Sequence, residues 1–327
     1  MKKLEEKVKS CIKDFNLIGR GEPIAVAYSG GKDSLMLCKT LASLGFDVRA
    51  FIVDIGYNAN WTRAIENITQ LGGGISCQVI DMKYVKENLP DAVSDVEKFF
   101  KIVQDVYSKQ GKIATTICTP CYNAKYVILK SLSKKLGIKR IAFGHHGTDA
   151  VTSLLKSYFM YEDRWVLGHE KFELKNLYAL VDERAKLFSD KKLFAEKVEP
   201  VLIKLISEEK ISTNEAPLET KEGLTIIRPF FYCREEEIKK EIEHMNFVPS
   251  RSECSYFYRK HLVETSREYI QFHLVNSHMS NEVFERMIEL IKPSLNKDGS
   301  VKFDARKNRA MLLGDTYKND GICSKKF

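Results

Sequence analysis

The stretch 23–34 reads PIAVAYSGGKDS, an apolar run that passes through two glycines into a polar turn. The run 23–28 predicts a short buried strand, and apolar residues at helical spacing over 35–44 predict a helix after the turn. Consecutive backbone N–H groups of such a turn can converge on a phosphate, and the positive end of the helix adds to the attraction. The stretch therefore predicts a strand, a phosphate-binding loop and a helix.

The polar residues of this loop each have a candidate role. Lys32 can offset phosphate charge, and Asp33 can hold a magnesium ion or orient a pyrophosphate group. The hydroxyls of Ser29 and Ser34 can donate hydrogen bonds, while the two glycines supply a permissive backbone. The spacing is not that of a Walker-type loop.

Strands and helices alternate on the C-terminal side of the loop. Apolar runs predict further strands at 47–54, 76–81, 138–144 and 224–229, and helical patterns lie at 61–71, 83–110 and 121–136. Such an alternation predicts an α/β fold, a parallel sheet with helices on both faces. Ligands of this class of fold bind beyond the carboxyl ends of the strands.

The composition changes along the chain and suggests five segments. The sequence predicts a leading helix at 1–20, an α/β domain at 21–150, a charged helical insert at 151–222, a return to the sheet at 223–265 and a helical, basic C-terminal region at 266–327. A polar connector is expected at 212–222, just before the last strand.

The overall composition gives a weaker indication of function. The 327 residues are 44% hydrophobic, which is enough for a large core, and carry a formal net charge of +8. The positive charge favours a polyanionic partner or substrate, although many basic enzymes bind no nucleic acid. No run approaches the ~20 apolar residues of a membrane span, so we expect a cytoplasmic protein without a membrane partner.

Eight cysteines in such a chain favour buried, reactive or metal-binding thiols over disulfides. Cys118 and Cys121 form a C-x-x-C where a loop meets a helix, which suits a metal centre, a redox dithiol or half of a zinc site. Cys254 is the candidate third ligand because it follows a strand and helix that return to the same edge of the sheet. Cys233 is an alternative ligand or a core residue, and we favour the core.

The loop 29–34 matches completely the S-G-G-x-D-S signature of the PP-loop ATP pyrophosphatases, and the chain resembles that family. The resemblance implies the family's adenine nucleotide alpha hydrolase-like (HUP-like) fold. It also implies an enzyme that cleaves ATP between its α and β phosphates, adenylates a substrate oxygen and releases pyrophosphate. The ATP-binding residues that it implies are Ser29, Gly30, Gly31, Lys32, Asp33, Ser34 and, where the second strand ends, Asp54. Asp54 is equally compatible with an ordinary residue that closes a strand.

A second set of motifs resembles one branch of the family, the iron–sulfur-dependent tRNA thiolation enzymes such as tRNA 2-thiocytidine synthetases. In that branch a C-x-x-C and a later cysteine hold a 4Fe–4S cluster beside the ATP site, and Cys118, Cys121 and Cys254 match in order. Lys125 matches a basic pocket residue. The segment 144–149 is similar to the branch's G-H-x-x-x-D, which implies that His145 and Asp149 lie in the site. The segments 228–229 and 234–238 also match.

The resemblance implies an ATP-dependent, AMP-forming sulfurtransferase that uses magnesium, the cluster and a sulfide or persulfide donor. Its acceptor would be a carbonyl oxygen of a tRNA base, with charge stabilised by Asp33 and protons moved by Lys125 or Asp149. Three alternatives stay open: an amide- or amidine-forming relative without a cluster, a reductase that binds a phosphosulfate, and a non-catalytic RNA-binding protein. A small-molecule acceptor also stays open, since the insert at 151–222 departs from the branch. A homodimer is a further possibility that the sequence leaves open.

Overall fold

The computed structural model describes residues 2–56, 61–110, 118–162, 174–207, 217–220, 223–245, 247–248 and 266–292. The strands are β1 (Ile24–Ala27), β2 (Val48–Val53), β3 (Ser76–Ile80), β4 (Arg140–Ala142), β5 (Pro217–Glu219) and β6 (Thr225–Ile227). The helices of the first half are α1 (Lys2–Asp14), α2 (Lys32–Ser43), α3 (Thr62–Thr69), α4 (Met82–Asn88), α5 (Pro90–Gln110), α6 (Cys118–Lys135) and α7 (Gly147–Glu162). Those of the second half are α8 (Leu174–Ser189), α9 (Lys191–Leu193), α10 (Glu199–Ser207), α11 (Glu235–Glu243), α12 (Ser266–Tyr269) and α13 (Asn281–Ile291).

Two π-helices interrupt the α-helical segments of the second half. The first π-helix is Phe194–Val198, and the second π-helix is Ile270–Asn276. None of the helices in the described ranges is long and apolar enough to cross a membrane.

The strands form one sheet in the order β3-β2-β1-β4-β6-β5. The first five strands of this order pair in parallel, which confirms the predicted α/β fold and its five predicted strands. From β1 the chain adds β2 and β3 on one side and later adds β4 and β6 on the other. The connections after β1 and β4 therefore diverge, and parallel sheets bind ligands in the crevice that this divergence leaves.

The antiparallel edge strand β5 corrects one prediction. The segment 212–222 was predicted to be a polar connector, but Pro217–Glu219 forms β5 and pairs antiparallel with β6. A three-residue strand is too short to show an alternating pattern. It covers the otherwise unpaired edge of β6, and a proline is tolerated at the first position of such an edge strand.

Two helix predictions also need correction. The helix expected over 83–110 is divided into α4 and α5 at Leu89, because Pro90 lacks the N–H that would continue α4 and instead opens α5. Helix α6 begins at Cys118, three residues before the predicted start at 121. Helix α7 runs from Gly147 to Glu162 and therefore spans the predicted domain boundary at 150.

Two apolar clusters cover the two faces of the sheet. Alternate strand residues contribute to each one, as the period of a β-strand requires. The first cluster contains Val26, Ile52 and Ala142 together with helices α2 and α7. The second contains Ala25 and Ile141 together with residues of α5 and α6. Helices therefore lie on both faces, as the alternation predicted.

Gly144 lies where the end of β4 touches the start of α2. A Cβ atom there would come within 2.9 Å of the Ser34 amide nitrogen and 3.0 Å of the Asp33 carbonyl carbon. Both are backbone atoms and cannot rotate away. The connection after β4 therefore requires glycine in order to lie against the phosphate-binding loop.

We expect Gly144→Ala to lower the free energy of unfolding by about 1–3 kcal/mol, because the added methyl group has no space. Denaturant unfolding would measure the change. Gly19→Ala is the control, since a Cβ there meets only the end of the Glu22 side chain, which can shift although its carboxylate accepts from the Gly19 N–H and from Arg140. It should change the free energy of unfolding by less than about 1 kcal/mol. Equal effects of the two variants would contradict the argument.

Candidate active site at the carboxyl end of the sheet

The phosphate-binding loop is closed by its own hydroxyl groups. The Ser29 amide donates to the Ser34 hydroxyl at 3.2 Å, the two hydroxyl oxygens lie 3.1 Å apart, and Ser34 donates to the Gly31 carbonyl at 3.1 Å. Gly30 adopts φ = 77°, a left-handed conformation that glycine tolerates without strain.

The N-terminus of α2 stands behind this loop. Its N-cap is Gly31, and among the described residues no side chain caps it. The first amides of a helix without a side-chain cap can donate to an anion, and the helix dipole favours negative charge at the same place. The loop and the helix end together form a site suited to phosphate.

A cavity of about 530 Å³ opens beside the loop at the carboxyl ends of β1, β2 and β4. Its lining includes the sequence-predicted residues Ser29, Asp33, Ser34, Lys125, His145 and Asp149. Gly30, Gly31, Lys32, Asp54 and Cys121 are not among the lining residues in the described part of the chain. The structure therefore brings together the loop, α6 and the 144–149 segment, which are far apart in the sequence.

Lys32 lies at the edge of the cavity between two carboxylates. Its ammonium is 2.8 Å from both carboxylate oxygens of Asp33 and 3.0 Å from Glu235 Oε1. Burial alone would lower the pKa of Lys32, but the two carboxylates outweigh burial and raise it. Glu235 was not predicted as a site residue, although the 234–238 motif that contains it was noted.

A second ionic group lies across the cavity around Asp149. His146 Nδ1 lies 3.4 Å from both the backbone nitrogen and Oδ2 of Asp149, and His146 Nε2 lies 3.9 Å from Asp33 Oδ1. Arg267 donates to Asp149 Oδ1 at 2.7 Å. Burial alone would raise the pKa of Asp149, but the nearby His146 and Arg267 outweigh it, so the pKa lies below its ordinary value. Asp149 is therefore ionised at neutral pH.

His145 lies in the apolar part of the cavity. Its ring stacks on Phe143 at a centroid distance of 5.8 Å, and within the described ranges its buried Nδ1 has no hydrogen-bond partner. Burial and, to a smaller extent, Arg228 lower the pKa of His145 to about 4. The ring is neutral at neutral pH.

We expect His145→Phe to reduce the acid sensitivity of the fold. Between pH 6.5 and 4 the unfolded chain binds a proton at His145 that the folded protein excludes, so the parent loses stability as the pH falls through this range. The loss at this residue is at most about 3 kcal/mol by pH 4. Urea unfolding of the parent and the variant from pH 7 to 4 would measure it. Parallel stability curves would contradict the assignment.

Aromatic side chains form part of the cavity lining. Trp61, Tyr122, Tyr126 and Phe143 lie there, and the Lys125 ammonium stands 5.7 Å from the centre of the Trp61 ring. Asp54 accepts a hydrogen bond from Trp61 Nε1 at 2.9 Å. Asp54 was interpreted equally as a nucleotide-binding residue and as a residue that closes a strand. It contacts a residue of the cavity lining but is not itself among the described lining residues.

The cysteines divide between the two faces of the sheet. Cys118 is the first residue of α6, and Cys121, one turn later, packs against the second cluster. Cys233 is fully buried in the first cluster, where burial raises the pKa of its thiol. The sheet separates Cys233 from Cys121, which confirms that Cys233 is a core residue. Cys254 lies outside the described residues, and within those residues no three potential ligands are grouped as for a metal ion.

No family model matches this chain. The chain is 29% identical over 164 residues to a tRNA-cytidine(32) 2-sulfurtransferase of Geobacter metallireducens, covering 48% of this chain and 56% of the relative. It is 32% identical over 158 residues to the enzyme of the same name from Aromatoleum aromaticum, covering 48% and 46%. The chain thus spans about half the length of the curated relatives it matches.

One solved structure with a similar arrangement is the U34-tRNA thiolase NcsA from Methanococcus maripaludis with its [4Fe-4S] cluster. It is 17% identical, with a TM-score of 0.49, and the match covers 88% of this chain and 79% of that chain.

The parallel sheet and the complete S-G-G-x-D-S loop support the resemblance to the PP-loop ATP pyrophosphatases. Over about half of its length, the chain is similar in sequence to proteins named tRNA-cytidine(32) 2-sulfurtransferase.

Proposed function

We propose that the chain is an ATP-dependent sulfurtransferase that adenylates a carbonyl oxygen of a tRNA base and replaces that oxygen with sulfur. The observation that carries the proposal is a single cavity that contains the phosphate-binding loop, Lys125 and Asp149, beside a helix that begins with C-x-x-C. The names of the curated relatives support a cytidine of tRNA as the acceptor.

ATP would bind with its phosphates on the loop. The backbone amides at the start of α2 would donate hydrogen bonds to the β and γ phosphates, and the ammonium of Lys32 would offset their negative charge. Asp33 is among the residues that line the cavity and would hold the magnesium ion. The aromatic residues of the lining would stack on the adenine or the acceptor base.

The first chemical step would form a bond between the acceptor's carbonyl oxygen and the α phosphorus. The bond from that phosphorus to the bridging oxygen breaks, and pyrophosphate leaves with its charge offset by Lys32. Hydrosulfide would then attack the carbon that carries the adenylated oxygen, and AMP would leave. Asp149 is ionised and can accept the proton that remains on sulfur, while Lys125 supplies a positive charge near the reacting oxygen.

Cys118, Cys121 and Cys254 would hold the 4Fe–4S cluster. Two cysteines one turn apart at a helix N-terminus suit such a group, and Cys121 is only partly buried. When bound, the cluster would supply an exchangeable iron site for the sulfur donor. Tyr122 and Lys125, which follow on the same helix, line the cavity. The position of Cys121 in the first turn of α6, on the helix that carries Tyr122 and Lys125 into the cavity lining, supports this assignment.

The test is anaerobic purification followed by turnover with ATP, magnesium, tRNA and labelled sulfide. We expect iron and sulfide in the protein, a visible spectrum of a 4Fe–4S cluster, and one AMP formed for each thiolated base found by mass spectrometry. Zinc or no metal would refute the cluster. Absence of AMP would refute adenylation, and AMP formation with an amine acceptor would favour the amide-forming alternative.

A further inference from the structure

Glu235, the first residue of α11, makes four side-chain contacts in the described part of the structure. Its Oε1 lies 3.0 Å from the Lys32 ammonium and 3.1 Å from that of Lys239. Its Oε2 accepts hydrogen bonds from the side-chain amides of Gln271 and Asn276, both at 3.0 Å. The side chain is only 8% exposed. A carboxylate with donors on both oxygens has little freedom to rotate.

The two amide donors come from the second π-helix. Gln271 and Asn276 are five residues apart, which is about one turn where the backbone bonds run from i to i+5. In an α-helix the same spacing would turn the two side chains about 140° apart, because each residue advances the helix by about 100°. The π-helix therefore brings both amides to one carboxylate oxygen.

The backbone around Glu235 is fixed as well. Its N–H donates to the hydroxyl of Thr148 at 2.9 Å, and Thr148 is fully buried in the first turn of α7. Burial alone would raise the pKa of Glu235, but Lys32 and the amide donors lower it to about 2. Glu235 is thus ionised. Its backbone is held by Thr148 and its side chain by the second π-helix, while its other carboxylate oxygen contacts Lys32 of the phosphate-binding loop.

We propose that Glu235 is a positioning residue for the phosphate-binding loop. Glu235 holds the ammonium of Lys32 in place, and the second π-helix in turn holds the carboxylate of Glu235. The inference rests on the proposed use of this loop for ATP. Asp33, the other carboxylate on Lys32, is the residue proposed to hold magnesium. Lys32 contacts both Asp33 oxygens at 2.8 Å, and Glu235 shares its ammonium at 3.0 Å. Without Glu235, the Lys32 ammonium would be held by Asp33 alone, and the carboxylate that the metal needs would carry the whole ion pair.

A double-mutant cycle of Glu235→Gln and Lys32→Met tests whether Glu235 acts through Lys32. One measurement is the affinity for magnesium-ATP by equilibrium binding, and the other is hydrogen–deuterium exchange of residues 29–35 in the nucleotide-free protein. Glu235→Gln should weaken ATP binding about tenfold and speed exchange in the loop. In the Lys32→Met background the same change should alter either quantity less than about twofold.

Glu199→Gln is the matched control. Glu199 is 14% exposed and pairs with Arg286 of α13, so the substitution breaks a comparable ion pair that has no contact with the loop. It should leave ATP affinity and loop exchange as in the parent. Should Glu235→Gln fail to fold, Asn276→Ala removes one donor to Glu235, and we expect a roughly threefold weaker affinity from it.

The inference is overturned if Glu235→Gln lowers the affinity for ATP by the same factor in both Lys32 backgrounds. It is also overturned if the Glu235→Gln variant shows the parent's ATP affinity and the parent's hydrogen exchange in the loop. A parent protein that binds no ATP would refute the proposed function instead. The exchange measurement would still decide whether Glu235 orders the loop through Lys32.

Discussion

Replacing Asp33 with Asn should lower the rate of AMP formation from ATP by at least about 100-fold. The carboxylate lines the cavity, contacts Lys32 through both oxygens and lies 3.9 Å from His146 Nε2. Asparagine has the same shape but no charge, so it would hold magnesium poorly and leave the phosphates without a bridging cation. The side chain is 31% exposed, and the variant should fold.

The rate is measured as pyrophosphate release in the presence of magnesium and tRNA, with thermal unfolding as the check on folding. Asp47→Asn is the matched control. Asp47 precedes β2 at the amino end of the sheet, where its half-exposed carboxylate pairs with Arg49 at 3.0 Å. That variant should turn over like the parent. Parent-like turnover by Asp33→Asn would contradict the role assigned to the loop.

Replacing Cys121 with Ser should remove most of the iron and sulfide from anaerobically purified protein and lower tRNA thiolation by at least about 100-fold. The thiolate is the ligand, and a serine hydroxyl does not replace it at neutral pH. Affinity for ATP should stay within about threefold of the parent, because Cys121 is not among the described residues that line the cavity. Loss of sulfur transfer with retained ATP binding would show that Cys121 serves the sulfur-transfer step and not the binding of ATP.

Cys77→Ser is the control for this substitution. Cys77 lies on β3, partly buried against the first cluster and thus on the opposite face of the sheet from Cys121. It should keep the parent's iron, sulfide and thiolation. If Cys121→Ser kept its iron and its activity, the cluster would be wrong, and persistent AMP formation would then favour the amide-forming relative.

Much of the fold follows from local sequence patterns. Most of the parallel strands are short apolar runs because both faces of the sheet are covered there, and such runs are visible without tertiary information. The edge strand β3 is more polar, and its Ser76 and Gln78 are exposed. The loop was equally visible, since its residues are consecutive. The three-residue β5 was missed because it has no pattern of its own and exists only through pairing with β6.

Only those site residues that belong to recognisable sequence motifs were predicted. Lys125, His145 and Asp149 lie in motifs and do line the cavity, whereas Glu235, Arg267 and Gln271 reach it through tertiary packing. No local pattern marks an arginine more than 100 residues away as the partner of Asp149. The placement of Cys254 stays a prediction, because it lies outside the described residues.

The second π-helix has a consequence for the comparison of related sequences. A π-turn arises when one extra residue is accommodated in a helix, and two side chains four residues apart share a face of an ordinary α-helix. A relative that lacks one residue between positions 271 and 276 could therefore present the same two amides to its glutamate. Alignments of this region should permit a one-residue gap, since it is the shared face of the two amides, and not their spacing, that would be inherited.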